Sequence, residues 1–193
     1  FARPIHWILA LFDGTVVPFQ VGNVSSSNLS RGHRFMAPGS FQIKDIPEYL
    51  RRLRTSFVIV HPEERKELII GELNKAASEV SGCILPDNEL LEIVTFLVEY
   101  PVAIRGSFSK DFLTLPREVL ISAMREHQRY FSLTDAAGSL LPYFVAISNT
   151  RPRNPNVVAR GNERVLQARL SDANFFFVED RKVPLIHRLE GLK

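Results

Sequence analysis

The sequence predicts an α+β fold, a mixed or antiparallel sheet with hairpins packed against several helices. Three observations lead there. Apolar runs of strand length alternate with stretches of helical periodicity along the 193 residues. Two pairs of strands are joined by Asp13-Gly14 and by Asp135-Ala136-Ala137-Gly138, turns too short for the helical crossover that parallel strands need. Hydrophobic residues make up 45% of the chain, enough for a packed core without metal or disulfide staples.

In chain order, residues 5–12 are an apolar run of strand length, and Asp13-Gly14 turns it into a second strand over 16–21. Residues 25–28 read as a polar loop leading to Arg31-Gly32-His33-Arg34-Phe35-Met36. Asp45 caps a short helix to about Arg54, with Pro47 in its first turn, where a missing N–H costs nothing. Residues 57–60 read as a short strand. Pro62 opens a helix whose Glu63 and Glu64 meet the positive end of the dipole. Its stripe is Ile69, Leu73, Ala76, Ala77 and Val80, with Leu68 at the edge, and Gly82 ends it. A more apolar helix over 87–100 is stopped by Pro101, and a strand follows over 102–108. A third helix, 116–128, buries Val119, Leu120, Ala123 and Met124.

Residues 130–133 and 141–147 make the second hairpin. The last helix is expected over about 162–181, with Leu166, Leu170, Ala173 and Phe177 on one stripe. Phe177 and Phe176 are expected to face inward, and the all-round apolar turn Phe175-Phe176-Phe177 suggests that another domain packs there. Both ends read as interruptions of a longer chain. One opens at Phe1-Ala2-Arg3-Pro4 without methionine, and the other closes inside a helical pattern of Leu185, Ile186, Leu189 and Leu192.

Several chemistries lack their residues. There is no GxxxxGK[ST] loop, no GxGxxG after a strand and no GxSxG elbow. The five histidines, His6, His33, His61, His127 and His187, form no HxxxH or HExxH pair, so no metal site is expected. The single cysteine, Cys83, has no disulfide partner and reads as a buried or half-buried thiol, which fits a reducing, cytoplasmic setting. No apolar run approaches the ~20 residues of a membrane span. Lys and Arg number 24 against 21 Asp and Glu, a net charge of +3 that permits nucleic-acid binding without demanding it.

Three basic patches carry the functional reading. In the first, Arg31, His33 and Arg34 surround a glycine beside Phe35; guanidinium forks fit phosphate oxygens and the rings fit unpaired bases. A turn with arginines paired to local carboxylates is the equal alternative. The second, Arg125, His127 and Arg129 with Glu126, Gln128, Tyr130 and Phe131, lies at a helix C-terminus, where cations stabilise the dipole by roughly 0.3–1 kcal/mol. It reads as either structure or a hydrogen-bonding cluster. The third holds Arg151, Arg153, Arg160, Arg164 and Arg169 against the single Glu163. Arg160, Arg164 and Gln167 share a helical face, a phosphate-tracking surface or a face for an acidic neighbour.

Long stretches then carry a resemblance. Phe1-Ala2-Arg3-Pro4-Ile5-His6-Trp7, the segments 31–36 and 124–131, Leu141-Pro142-Tyr143-Phe144, and 161–177 followed by Glu179-Asp180-Arg181-Lys182 resemble the β subunit of bacterial glycyl-tRNA synthetases, in the same order. That resemblance implies an α₂β₂ ligase joining glycine to tRNA(Gly) with ATP, and the partners tRNA(Gly), the α subunit and other β-subunit domains. Catalysis, ATP and Mg belong to the α subunit, so this segment is expected to hold no catalytic residue and no cofactor. It implies a B3/B4-like domain over 1–160, similar to that of phenylalanyl-tRNA synthetase β, and a helical extension over 161–193. The expected role is non-catalytic tRNA binding and scaffolding. The alternatives are an editing hydrolase, with His127 and Glu126 or His33 as its only nominees, and a pure interface module. The missing His-Asp pair implies that the family's HD-type domain lies elsewhere.

Overall fold

The computed structural model describes residues 4–188 and 191. Phe1, Ala2, Arg3, Leu189 and Leu192 of the patterns above lie outside them. The chain divides into two units, Phe1–Arg65 and Lys66–Lys193.

The first unit is built from short strands and one helix. Strands β1 (Ile8–Leu9), β5 (Val24–Ser27) and β4 (Gln20–Val21) form one small sheet in that order. Strands β2 (Leu11–Phe12) and β3 (Thr15–Val16) make the expected hairpin, with Asp13 and Gly14 both at positive φ, 48° and 74°, as a type I′ turn requires. Residues 25–28, expected as a loop, lie largely in β5. Polarity did not prevent pairing, because the backbone is satisfied on both sides, antiparallel to β4 and parallel to β1. Ser26 adds to this: its hydroxyl accepts from Phe19 N–H at 2.9 Å and donates to the Val17 carbonyl at 2.7 Å.

Strands β6 (Leu29–Arg31) and β7 (Ser40–Gln42) pair antiparallel. Helix α1 (Ile46–Thr55) follows, and its Asp45 cap accepts from Glu48 N–H at 2.7 Å as expected. The strand expected over 57–60 does not form. Phe57 takes a left-handed conformation, φ 61°, and Val58 N–H returns to the Leu53 carbonyl, closing the helix end.

Helix α2 (Pro62–Ser78) runs into the second unit and presents Ile69, Leu73, Ala76 and Ala77 as buried residues. Its end is closed by Ser81 at φ 54° with Gly82 N–H bonded to the Ala77 carbonyl, so serine takes the left-handed position and glycine follows it. Strand β8 (Cys83–Ile84) leads to α3 (Asn88–Leu97), capped by Asp87. This helix is shorter than expected because Val98 is already extended and Asn149 Oδ1 accepts from both Glu99 and Tyr100 N–H. Strand β9 (Val102–Ser107), a 3-10 turn over Lys110–Thr114 that the sequence reading did not anticipate, and α4 (Arg117–Gln128) come next. The hairpin β10 (Phe131–Thr134) and β11 (Leu140–Ser148) then leads to α5 (Pro155–Lys182) and α6 (Leu185–Arg188).

The sheet order is β8-β10-β11-β9, with every neighbour antiparallel. Alternation along β11 divides the core. Val145 joins α2 and α3 residues such as Leu73, Leu90 and Val94 on one side, while Phe144 and Ala146 join Leu120, Met124, Leu166 and Leu170 of α4 and α5 on the other. The result is an α+β unit with helices on both faces of an antiparallel sheet. Gly106 sits opposite Phe144 in register, and a Cβ there would lie 2.3 Å from the Phe144 ring; the strand needs a glycine at that point.

Expectations for α5, Cys83 and Phe176 change here. Helix α5 begins well before residue 162, because Asn154 caps it and Pro155 fits its first turn. The expected division at 160/161 therefore falls inside one helix, whose Leu166 and Leu170 are completely buried in the second unit's core. Cys83 is exposed rather than buried. Phe176 points outward at 62% exposure, while Phe177 packs partly against the core.

Candidate nucleic-acid interface

The five arginines that cluster in sequence between 151 and 169 do not form one surface. Arg160 and Arg164, one turn apart, project from one flank of α5 with Gln167 beside them. Arg169 comes nine residues after Arg160, about two and a half turns, which carries it to the opposite flank. Arg151 lies over the Tyr100 ring at 5.8 Å and donates to its hydroxyl at 3.1 Å. Arg153 is exposed in the loop before the Asn154 cap.

Arg160 and Arg164 border an open groove of about 630 Å³ between α5 and the end of β9, lined also by Ser107, Phe108, Ser109, Glu163 and Gln167. The local charge arrangement is unusual. Glu163, between the two arginines in sequence, turns to the strand end, where its Oε1 accepts from Ser107 N–H at 2.8 Å and from the Ser107 hydroxyl at 3.0 Å. Neither arginine has a carboxylate partner among the described residues. Two solvated guanidiniums over a polar groove are suited to phosphate oxygens. The Ser107 and Ser109 lip carried no signal in sequence, since it is β-sheet registry that brings it beside α5.

Arg125 is a structural hub instead. It pairs with Asp87 at 2.6 Å and also with Glu89 and Glu126, tying α4 to the start of α3. These carboxylates, Asp87 foremost, hold its proton more tightly than an ordinary guanidinium does. Asp87 responds in turn: burial works to raise its pKa, but the Arg125 contact and the backbone N–H groups of Leu90 and Glu89 outweigh it and hold it below the usual carboxylate range. Arg129 takes the left-handed position that ends α4, φ 56°, and lies 4.0 Å from the second oxygen of Glu126. The Glu126 carboxylate is thus held by two arginines and is not available to an adjacent His127, which an i, i+1 spacing on a helix turns away in any case. His127 is exposed and lines a second groove between α4 and α5 with Arg169, Asp172 and Phe176. No cluster of three or more metal-ligating side chains occurs among the described residues, and no helix among them is long and apolar enough to cross a membrane.

In the first unit the Arg31–Phe35 loop separates into a foundation and a surface. His33 is 1% exposed, so the expected contact of its ring with a ligand does not fit its position. Its Nδ1 accepts from Phe35 and Met36 N–H at 3.2 Å each, and the His33 backbone N–H donates to the Ser56 carbonyl at 2.8 Å. Arg31 and Arg34 are exposed, over the rings of Trp7 and Phe35 at 5.5 and 5.6 Å. Trp7 was not singled out in the basic patches, because only strand packing brings it beside Arg31.

Comparison with known proteins completes the picture. The sequence profile of the family described as glycyl-tRNA synthetase beta subunit matches residues 1–193. Over 193 residues the chain is 60% identical to the glycine--tRNA ligase beta subunit of Geotalea uraniireducens, 58% to that of Geobacter sulfurreducens and 56% to that of Syntrophus aciditrophicus. Each alignment covers 100% of this chain and 28% of the relative, so the chain spans less than a third of their length. A full-length profile match together with these identities means that the chain belongs to the glycyl-tRNA synthetase β-subunit family.

Proposed function

We propose that this segment is a non-catalytic tRNA-binding and scaffolding part of a glycine–tRNA ligase, an enzyme that attaches glycine to tRNA(Gly) using ATP in the cytoplasm. Its partners in this reading are tRNA(Gly), an α subunit that holds ATP and Mg and makes the bond, and the remaining β-subunit domains in an α₂β₂ assembly. The B3/B4-like character of the segment belongs to the same proposal. The observation that carries it is the pair Arg160 and Arg164, directed over a polar groove without carboxylate partners among the described residues. Contacts to phosphate position a folded RNA without reading its sequence, and arginine is the residue suited to them. The C-terminal part of α5, with Phe175 and Phe176 edge to edge at 5.4 Å and both exposed, suits a protein neighbour and supports the scaffolding half of the reading.

The test compares the full-length assembly with a variant carrying Arg160→Ala and Arg164→Ala, measuring tRNA affinity across salt concentrations. Loss of two phosphate contacts reduces the slope of log affinity against log salt by about 1.5 and weakens binding at low salt. Unchanged affinity with an unchanged slope refutes the assignment of this groove to RNA.

A further inference from the structure

Two aromatic rings at the Arg31–Phe35 loop, Phe35 within it and Trp7 beside Arg31, are not used as core by the fold. Phe35 is 74% exposed and Trp7, the only tryptophan of the chain, 43%. Each ring has a guanidinium near it, Arg34 and Arg31 respectively.

The backbone beneath them is fixed. Gly32 is pressed so closely to the end of α1 that a Cβ would meet the Ser56 Cβ at 2.5 Å and its carbonyl oxygen at 2.9 Å. His33, buried below, bonds to the two amides that follow it, and Ala37 N–H closes the turn on the His33 carbonyl at 2.9 Å. Phe35 comes four positions after Arg31, so their Cα atoms lie within about 14 Å of one another. Phe35 is therefore presented by a held loop, and Trp7 lies against Arg31 at the start of that loop.

We propose that Trp7 and Phe35 form a stacking surface for unpaired bases of an RNA strand, with Arg31 and Arg34 neutralising the phosphates between those bases. Flat rings accept any base through its π face, and arginines beside them supply the matching charge for a polyanion. His33 is the foundation of this surface and does not touch the ligand. The inference rests on the chain handling RNA, but it uses residues other than Arg160 and Arg164 and a different kind of contact.

The experiment uses the full-length protein with two probes, a single-stranded RNA oligonucleotide and a blunt RNA duplex of matched length. Phe35→Ala and Trp7→Leu are each expected to weaken single-strand binding about tenfold, with duplex affinity and the salt slope kept. Phe35→Trp is expected to retain single-strand affinity, since the ring remains. Phe35 has so little packing to lose that its alanine variant keeps the wild-type melting midpoint even if Trp7→Leu does not. Unchanged single-strand affinity in Phe35→Ala overturns the proposal, as does an equal loss on both probes. A surface built for an acidic protein neighbour would give the first of those outcomes. The Arg160→Ala, Arg164→Ala variant in the same assay alters the salt slope on both probes, so failure of the groove and failure of the stacking surface are read separately.

Discussion

Replacing Leu166 by alanine tests whether α5 is part of the second unit or a helix appended to it. Leu166 is 0% exposed and packs in the cluster with Phe108, Leu120, Met124 and Phe144. The substitution removes three carbons, a transfer loss of about 2.4 kcal/mol at ~0.8 kcal/mol each. The neighbours that surround the site belong to a sheet and two helices and collapse only partly, so a cavity term adds to this and the total reaches about 3–5 kcal/mol. For a unit of this size that lowers the melting midpoint by roughly 6–20 °C. Val165, on the same turn but 46% exposed, is the control, and its alanine variant is expected within about 0.5 kcal/mol of wild type. Urea or thermal unfolding followed by circular dichroism measures both. A Leu166→Ala loss below about 1 kcal/mol would refute the integral role of α5 and restore a boundary near residue 160.

Two further outcomes concern stability. Asp87→Ala is expected to cost about 1 kcal/mol through loss of the α3 cap, before the freed Arg125 is considered. Because the folded-state pKa of Asp87 is depressed, its contribution is present above the ordinary carboxylate value of 3.8 and is lost as pH falls through the folded value; the gap between wild type and Asp87→Asn in urea unfolding is therefore constant above 3.8 and narrows as pH falls from there through the folded value. Gly106→Ala forces a methyl against the Phe144 ring and is expected to destabilise by about 1–3 kcal/mol, visible as a lower urea midpoint; a neutral result would mean that the β9–β11 register is not as described.

Local chemistry was legible in the sequence and non-local pairing was not. Asp45 and Asp13-Gly14 announce a cap and a turn because each acts on amides within a few residues of itself. Helix stripes such as Ile69, Leu73, Ala76 and Ala77 were legible for the same reason. Residues 25–28 were misread because a strand is defined by its neighbours, and both neighbours of β5 come from elsewhere in the chain. Helix α5 starts earlier than about residue 162 because Pro155 is tolerated at an N-terminus and Gly161 is exposed on the helix. At the candidate site, charge counting found the arginines but not their partners. For Arg125 the sequence leaves structure and ligand contact both open, and Asp87 and Glu89, 38 and 36 residues away, make it structural. Arg160 and Arg164 differ from it only in lacking such partners.

The seating of Glu163 on Ser107 has an energetic corollary. A carboxylate between two arginines would ordinarily swing between them and compete with any incoming anion. With both hydrogen bonds committed to the strand end, it is a brace that sets the width of the gap before anything enters it. Ordering a long side chain at the moment of association costs about 0.5–1.5 kcal/mol, and a wall already in position avoids that term for one of its members.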